Sequence, residues 1–268
     1  MRVIGLCRFS YPASGGFQVE HNSLEARRAY LYDDARMADR FRHFETIALP
    51  GLRAQTDPGF TLGIVTGSDL PERWMTRLLD LTEDMPQAVI LPLEPGQQHR
   101  PAMRAALNQL RGDPDRPCLQ FRHDDDDAVS VHFVARLKQT ARDCRPLLDR
   151  HRLAAIDFNT GWVARPGPAG MDAMRSCNPY WGVALAMWVR GGETRSIFNF
   201  NHYKVVANMP TITRNDPDMF LRGQNDFNDS RQKKGVKADP LVPLTAAEEA
   251  LFASEFAIDC DRVRDVFA

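Results

Sequence analysis

The sequence predicts an α/β fold with a mainly parallel central sheet flanked by helices. Three observations carry that expectation. Short apolar runs alternate with amphipathic stretches through the first half of the chain. Their order, β-α-β-α-β-α-β, is that of parallel strands joined by crossover helices. The fourth apolar run leads directly into Asp124-Asp125-Asp126-Asp127, and strand ends are where such sheets bind ligands.

The elements follow in order. Arg2 to Phe9 reads as a strand. Asp33 to Arg53 reads as a helix, with Met37, Phe41, Phe44, Ile47 and Ala48 near helical spacing. Phe60 to Thr66 is a strand ended by Gly67-Ser68-Asp69. Pro71 to Leu81 is a helix with proline in its first turn. Ala88 to Leu93 is a strand, Pro101 to Leu110 a helix, and Cys118 to Phe121 the strand before the tetrad. A helix is expected over Ala128 to Leu148. Ala154–Phe158 and Gly161–Ala164 look like a hairpin pair, and Gly182 to Val189 like another apolar strand. The stretch from Asn199 to Arg231 is rich in Asn, Asp and aromatics and reads as a loop that folds over a ligand. Lys233 to Leu244 reads as a connection. Thr245 to Phe256 reads as a closing helix, capped by Thr245 with Glu248 three residues on.

Bulk composition narrows the function classes. The chain has 268 residues and 43 % hydrophobic content, enough for one large α/β domain. Its 34 basic and 35 acidic residues leave a formal charge of −1, and no charged tail points to nucleic acid or a membrane surface. The five cysteines are scattered, without C-x-x-C, which argues against a disulfide framework and a zinc site. No signal peptide or transmembrane segment is evident, so a cytoplasmic location is expected. The absence of G-x-G-x-x-G after the first strand and of G-x-x-x-x-G-K disfavours a Rossmann dehydrogenase and a P-loop enzyme.

The tetrad carries the chemistry. Hard divalent cations take oxygen ligands, commonly one or two carboxylates plus substrate phosphates. Asp124 and Asp126 sit at i and i+2, so on an extended strand end they share a face. Asp125 points away from that face, but stays with Asp124 among the nucleotide-sugar-binding candidates. Acidic residues also favour a helix N-terminus, yet four in a row repel too strongly for capping alone. At the other strand ends, Arg8 can fork a phosphate, Phe9 can cover a base, and Thr66 is placed to contact the nucleotide. Arg100 and Arg104 share one helix face before the tetrad and are candidates for the diphosphate.

Specific residues also carry a family resemblance. Met103 to Leu110 followed by Leu119 to Asp127 is similar to the helix–strand–Asp-rich unit of the GT-A glycosyltransferase fold. The chain resembles a bacterial family of rhamnosyltransferases in Arg8-Phe9-Ser10, Arg36-Met37-Ala38-Asp39-Arg40-Phe41, Leu49-Pro50-Gly51-Leu52, Gln120-Phe121-Arg122 with the tetrad, and Asn225 with Asn228-Asp229-Ser230. The resemblance covers most of the chain. It implies a single GT-A-like domain over 1–268, with a nucleotide-sugar-binding half (1–128) and an acceptor or lid half (129–268). It implies metal-dependent transfer of a sugar, rhamnose by the family's name, from a nucleotide-diphosphate donor to a glycan, lipid-linked or other hydroxyl acceptor. The implied cofactor is Mn²⁺ or Mg²⁺, with Asp126 as direct ligand, Asp124 on metal or ribose, and Asp127 on metal or capping the next helix. A further ligand from the C-terminal half would be His202 or Asp226; near that second motif the family carries histidine, and this chain has Gln224.

A base is needed if the reaction inverts configuration. Asp157, Asp216, Asp218 and Asp229 are candidates, with Asp218 preferred and Asp229 second. Two other classes stay open. A metal-dependent phosphohydrolase would also cluster Asp at a strand end, but it would usually place a nucleophilic Asp on the first strand, and Met1 to Phe9 has none. A non-catalytic nucleotide-sugar-binding protein would keep the fold and lose the base.

Overall fold

A computed structural model describes residues 1–15, 21–225 and 240–268. The first strand is buried on both faces, so its side chains alternate between two cores. On β1 (Arg2–Arg8), Val3 and Cys7 enter one core while Ile4 and Leu6 enter the other. Two short helices follow, α1 (Leu24–Leu31) and α2 (Asp34–His43), the second opened by the Asp33 carboxylate accepting the Arg36 N–H at 3.0 Å. One π-helical turn (Phe44–Ala48) joins α2 to α3 (Leu49–Arg53). The single helix expected over Asp33 to Arg53 is therefore continuous but locally widened.

Next come β2 (Thr61–Gly67), α4 (Glu72–Thr82), β3 (Ala88–Leu93), α5 (His99–Arg111) and β4 (Cys118–Asp124). All four strands are parallel, in the order β4-β1-β2-β3. These elements match the first-half expectation to within a few residues, and α1 is an addition to it.

The chain departs from expectation after the tetrad. No helix begins at Ala128. Instead β5 (Ala128–Val129) runs antiparallel to a later strand, and α6 (Phe133–Asp143) and α7 (Arg145–Leu148) follow. Ala128 and Val129 are fully buried on a two-residue strand, and tertiary pairing overrides the helical periodicity. β6 (Leu153–Phe158) and β7 (Thr160–Gly167) do not form the expected hairpin. β6 joins the main sheet, whereas β7 pairs with β8 (Gly170–Cys177) in a second sheet. β9 (Leu185–Val189) slots antiparallel between β6 and β4.

Within Asn199 to Arg231 the described residues include two strands where a loop was expected. β10 (Thr211–Arg214) extends the main sheet beside β6, and β11 (Phe220–Gly223) lies between β7 and β5. β12 (Val242–Pro243), α8 (Ala246–Phe256) and α9 (Cys260–Phe267) close the chain. Thr245 and Glu248 form the expected capping box. The main sheet is β10-β6-β9-β4-β1-β2-β3 and draws strands from both sides of the tetrad, whereas the smaller one, β12-β8-β7-β11-β5, is built wholly from the chain after it. A third apolar cluster, including Trp162, Phe252, Phe256 and Val263, packs α8 and α9 on the second sheet. No helix among the described residues is long and apolar enough to cross a membrane.

One contact couples the α2–α3 helix to the tetrad's strand. An added Cβ at Gly51 would lie 2.2 Å from the Val129 carbonyl oxygen and 3.2 Å from that of Phe256. Alanine is the better helix former by roughly 1 kcal/mol, but backbone atoms cannot yield to it. Gly51→Ala is therefore expected to destabilise the protein by about 1–3 kcal/mol, read as a lower urea midpoint. A midpoint equal to or above wild type would show that α3 and β5 are not in register-fixing contact.

Candidate functional site

β1 leads by way of α1–α3 to β2 on one side, while β4 lies on its other side. The strand order thus reverses direction between β1 and β4, the place where open α/β sheets form a ligand crevice. The two strands are in register, with Arg8 directly opposite Asp124. A cleft of about 360 Å³ opens there. Arg8, Arg40, Arg122 and Arg222 face the four carboxylates across it, with His99, Trp181, His202 and Tyr203 on the remaining walls.

The tetrad is a stapled loop rather than a helix cap. Asp125 Oδ1 accepts Arg40 Nη1 at 2.7 Å, and the same nitrogen is 3.6 Å from Asp126 Oδ2. Asp126 Oδ2 also accepts Asn225 Nδ2 at 2.7 Å, and Asp127 Oδ1 accepts the Gly223 N–H at 3.0 Å. The expectation that Asp127 caps a helix is corrected: its partner is a strand on the second sheet. That strand approaches so closely that a Cβ at Gly223 would sit 1.9 Å from the Asp126 carbonyl oxygen.

The carboxylates are not equivalent. Burial pushes Asp126 up to about 7; the Asp125 and Asp124 charges add to the shift, and Arg40 and Asn225 offset only part of it. Burial, reinforced by Asp126 and Asp124, also raises Asp127 well above the carboxylate range. For Asp124, burial is outweighed by Arg8, Arg122, His123 and Arg40, which together hold it below its ordinary value. One carboxylate is thus firmly ionised at the strand end, beside two that retain protons more readily.

His202 lies in the same cleft, with Nδ1 against the Tyr180 carbonyl oxygen. A carbonyl only accepts, so Nδ1 carries the hydrogen and Nε2 the lone pair. Among the described residues no three His, Cys, Asp or Glu side chains converge as a complete metal cage.

Several sequence candidates lie elsewhere. Phe9 is fully buried, its ring centroid 4.9 Å from both Phe41 and Phe44, so it belongs to the core and cannot cover a base. Thr66 is buried and does not line the cleft. Arg100 and Arg104 are exposed on α5 outside the cleft wall; the field of Arg100 still reaches His99. Asp218 is held by both Arg175 and Trp162 Nε1, away from the cleft, a structural tie rather than a base poised on substrate. Asp157 is buried under the Tyr180 N–H, which both its oxygens accept. Asp216 is exposed and does not line the cleft. Asp226 and Asp229 fall outside the described residues.

The structure also adds residues that had no assigned role. Arg40, Arg122 and Asn225 stood inside the motifs that carry the family resemblance. Arg222, His99 and Trp181 had no such signal.

The chain matches the family described as "Putative rhamnosyl transferase" over residues 2–237, and it belongs to that family. Its mainly parallel sheet, flanking helices and carboxylate-rich loop after β4 make the fold GT-A-like. Among solved structures it is similar to residues 1–349 of S. aureus TarS. For TarS alone, identity is 11 %, coverage 83 % of this chain and 60 % of that one, and the TM-score 0.44. With UDP-GlcNAc the figures are 12 %, 87 %, 61 % and 0.46, and with UDP 10 %, 84 %, 61 % and 0.42. The chain thus spans about 60 % of the length of these TarS structures. Comparison with curated proteins gives no match.

His99 has a consequence for stability. Burial, then Arg8 and Arg122, lower it to about 3. Below the ordinary histidine value of about 6.5 the unfolded chain takes up a proton that the native state refuses. Stability therefore falls as pH drops from about 6.5 toward 3. His99→Gln is expected to flatten part of that slope in urea titrations between pH 4.5 and 7.5. An unaltered slope would mean that His99 is not held neutral.

Proposed function

We propose that this chain is a glycosyltransferase that moves a sugar from a nucleotide-diphosphate donor to a hydroxyl acceptor with the help of a divalent cation. The observation that carries the reading is the pairing of Arg8 with Asp124 across the β1–β4 crevice, with Asp126 two residues on. Family membership supports the same class, and rhamnose, the sugar in the family's description, is the first to try.

The residues present fit the cation. Mg²⁺ and Mn²⁺ favour oxygen ligands, and one or two protein carboxylates suffice when substrate phosphates supply the rest. Asp124 and Asp126 are such a pair. Burial and like charge raise Asp126 to about 7, and Asp125 Oδ2 is buried without a hydrogen-bond partner. A cation beside Asp126 would favour its ionised form against the burial that raises it. His202 is the candidate third ligand, because metal-binding imidazoles commonly donate their other N–H to a carbonyl. When bound, the cation would neutralise charge on the departing diphosphate.

The chain's own residues do the rest. Arg8 and Arg122 fix phosphate oxygens by charge-assisted hydrogen bonds. Arg40 keeps the acidic loop folded when no cation is present. Asn225 and Gly223 hold Asp126 and Asp127 in place, so little reorganisation is needed when the donor arrives.

The test is nucleoside diphosphate binding and release from a panel of dTDP-, UDP- and GDP-sugars that includes dTDP-rhamnose, with and without Mn²⁺. Absence of both across the panel overturns the reading. Asp126→Ala is expected to abolish the Mn²⁺-dependent part of nucleotide affinity while circular dichroism stays native; retained metal dependence would remove Asp126 from the site. Arg8→Ala is expected to weaken nucleotide affinity about ten-fold or more, since a charged hydrogen bond contributes roughly 1.5–3 kcal/mol. A dissociation constant within about two-fold of wild type would take Arg8 off the phosphates.

A further inference from the structure

Beyond the carboxylates, toward β9, the cleft changes character. Its wall there is aromatic. Trp181 and Tyr203 both line it, and Tyr203 is 56 % exposed. The Arg222 guanidinium lies 4.7 Å over the Trp181 ring, and the Phe220 ring centroid is 6.1 Å from that of Trp181. Trp181 is thereby fixed in orientation by a cation on its face and a ring beside it.

The backbone of Tyr203 is also held. It sits on a short 3₁₀ turn, His202–Ala207, whose Asn201 side chain caps the Tyr203 N–H at 3.1 Å. Buried Val205 anchors the turn below. The His202 ring lies 3.9 Å from the Tyr203 ring, and its Nδ1 ties this turn to the Tyr180 carbonyl, next to Trp181. Two aromatic side chains from separate segments thus stand at the mouth of one polar cleft, their segments tied by the His202–Tyr180 contact. Tyr180 and Ala184 hold positive φ angles of 60° and 53° on either side of Trp181, a cost that non-glycine residues bear where surrounding structure fixes the backbone.

We propose that Trp181 and Tyr203, with Arg222, form a subsite for a pyranose ring of a carbohydrate acceptor. The inference rests on the glycosyltransferase reading for the word acceptor, but the binding surface stands on its own geometry. The C–H-rich face of a pyranose suits an aromatic face, and guanidinium N–H groups suit its hydroxyls. Position assigns the role. Arg8 and the β1–β2 strand ends lie on one side of Asp124 in the sheet order; Trp181, leading into β9, lies on the other. A donor gripped by its diphosphate at the carboxylates, with its nucleotide toward β1 and β2, would leave the Trp181 and Tyr203 side of the cleft to the acceptor. A flexible lipid tail or an extended peptide would need a long apolar or hydrogen-bonding groove. The aromatic wall here is short and continuous with the polar cleft.

The experiment is saturation-transfer NMR with methyl α-L-rhamnopyranoside and methyl α-D-glucopyranoside as probes. It is run on the full chain with Mn²⁺, with and without dTDP, UDP and GDP. Tyr203→Ala removes an exposed ring and leaves the core intact, while Tyr203→Phe keeps the ring. At least one pyranoside is expected to receive saturation from wild type and from Tyr203→Phe, and to lose it about five-fold or more in Tyr203→Ala, with nucleotide affinity unchanged. Pyranoside binding that is absent under every condition, or equal in wild type and Tyr203→Ala, overturns the subsite. Failure of every nucleotide to bind, with Tyr203-dependent pyranoside binding retained, would sink the donor reading and leave the subsite standing.

Discussion

Four consecutive carboxylates, three of them buried and Asp124 open to the crevice, are the constraint on which the rest of this molecule depends. Charge taken out of water is costly unless it is paired. Arg40, delivered from α2, meets Asp125 and Asp126 together. Asn225 and the Gly223 amide meet Asp126 and Asp127 from the opposite side. The helix α2 and the strand β11 with the residues just after it are therefore both required to close one loop. Compensation is incomplete, and the unequal affinities of these carboxylates for protons are the trace of what is left over.

That arrangement explains why the two sheets interlock. β5 continues from the tetrad and pairs with β11, and β11 leads straight to Asn225. The acidic loop is pinned at both ends by backbone ladders, one in each sheet. Backbone pinning fixes geometry without long side chains, and a crevice meant to grip a highly charged ligand gains from groups that are already in place.

The first half of the fold was legible because its strands are short apolar runs separated by amphipathic helices, with β1, β2 and β4 buried along most of their length. Local pattern and tertiary role agree. After Asp127 they part company. Ala128-Val129 has the composition of a helix start, but its partner on β11 lies some ninety residues away, and no local pattern reports such pairing. β6 and β7 look like a hairpin because both are short and apolar with a tight break between them; that break is the point where the chain changes sheets. Within the cleft, the position of the acidic run at a strand end could be read from the sequence. Its arginine walls could not, since in so arginine-rich a chain nothing in the residue itself separates Arg40 or Arg222 from a solvated surface charge. Phe9 and Asp218 show the converse: residues of suitable chemistry near suitable strands whose side chains are taken up by Phe41 and Phe44, or by Arg175 and Trp162.

The π-helical turn at Phe44–Ala48 lets one helix serve two partners. A π turn holds one more residue than the α-helix around it would need. The wider turn absorbs that residue, so Arg40 before it reaches Asp125 and Gly51 after it lies against the Val129 carbonyl on one continuous helix. A residue added to the regular turns on either side would instead rotate everything beyond it by about 100° around the helix axis, and Gly51 would leave Val129. The widened turn is therefore the place along this helix where a change of one residue in length disrupts least.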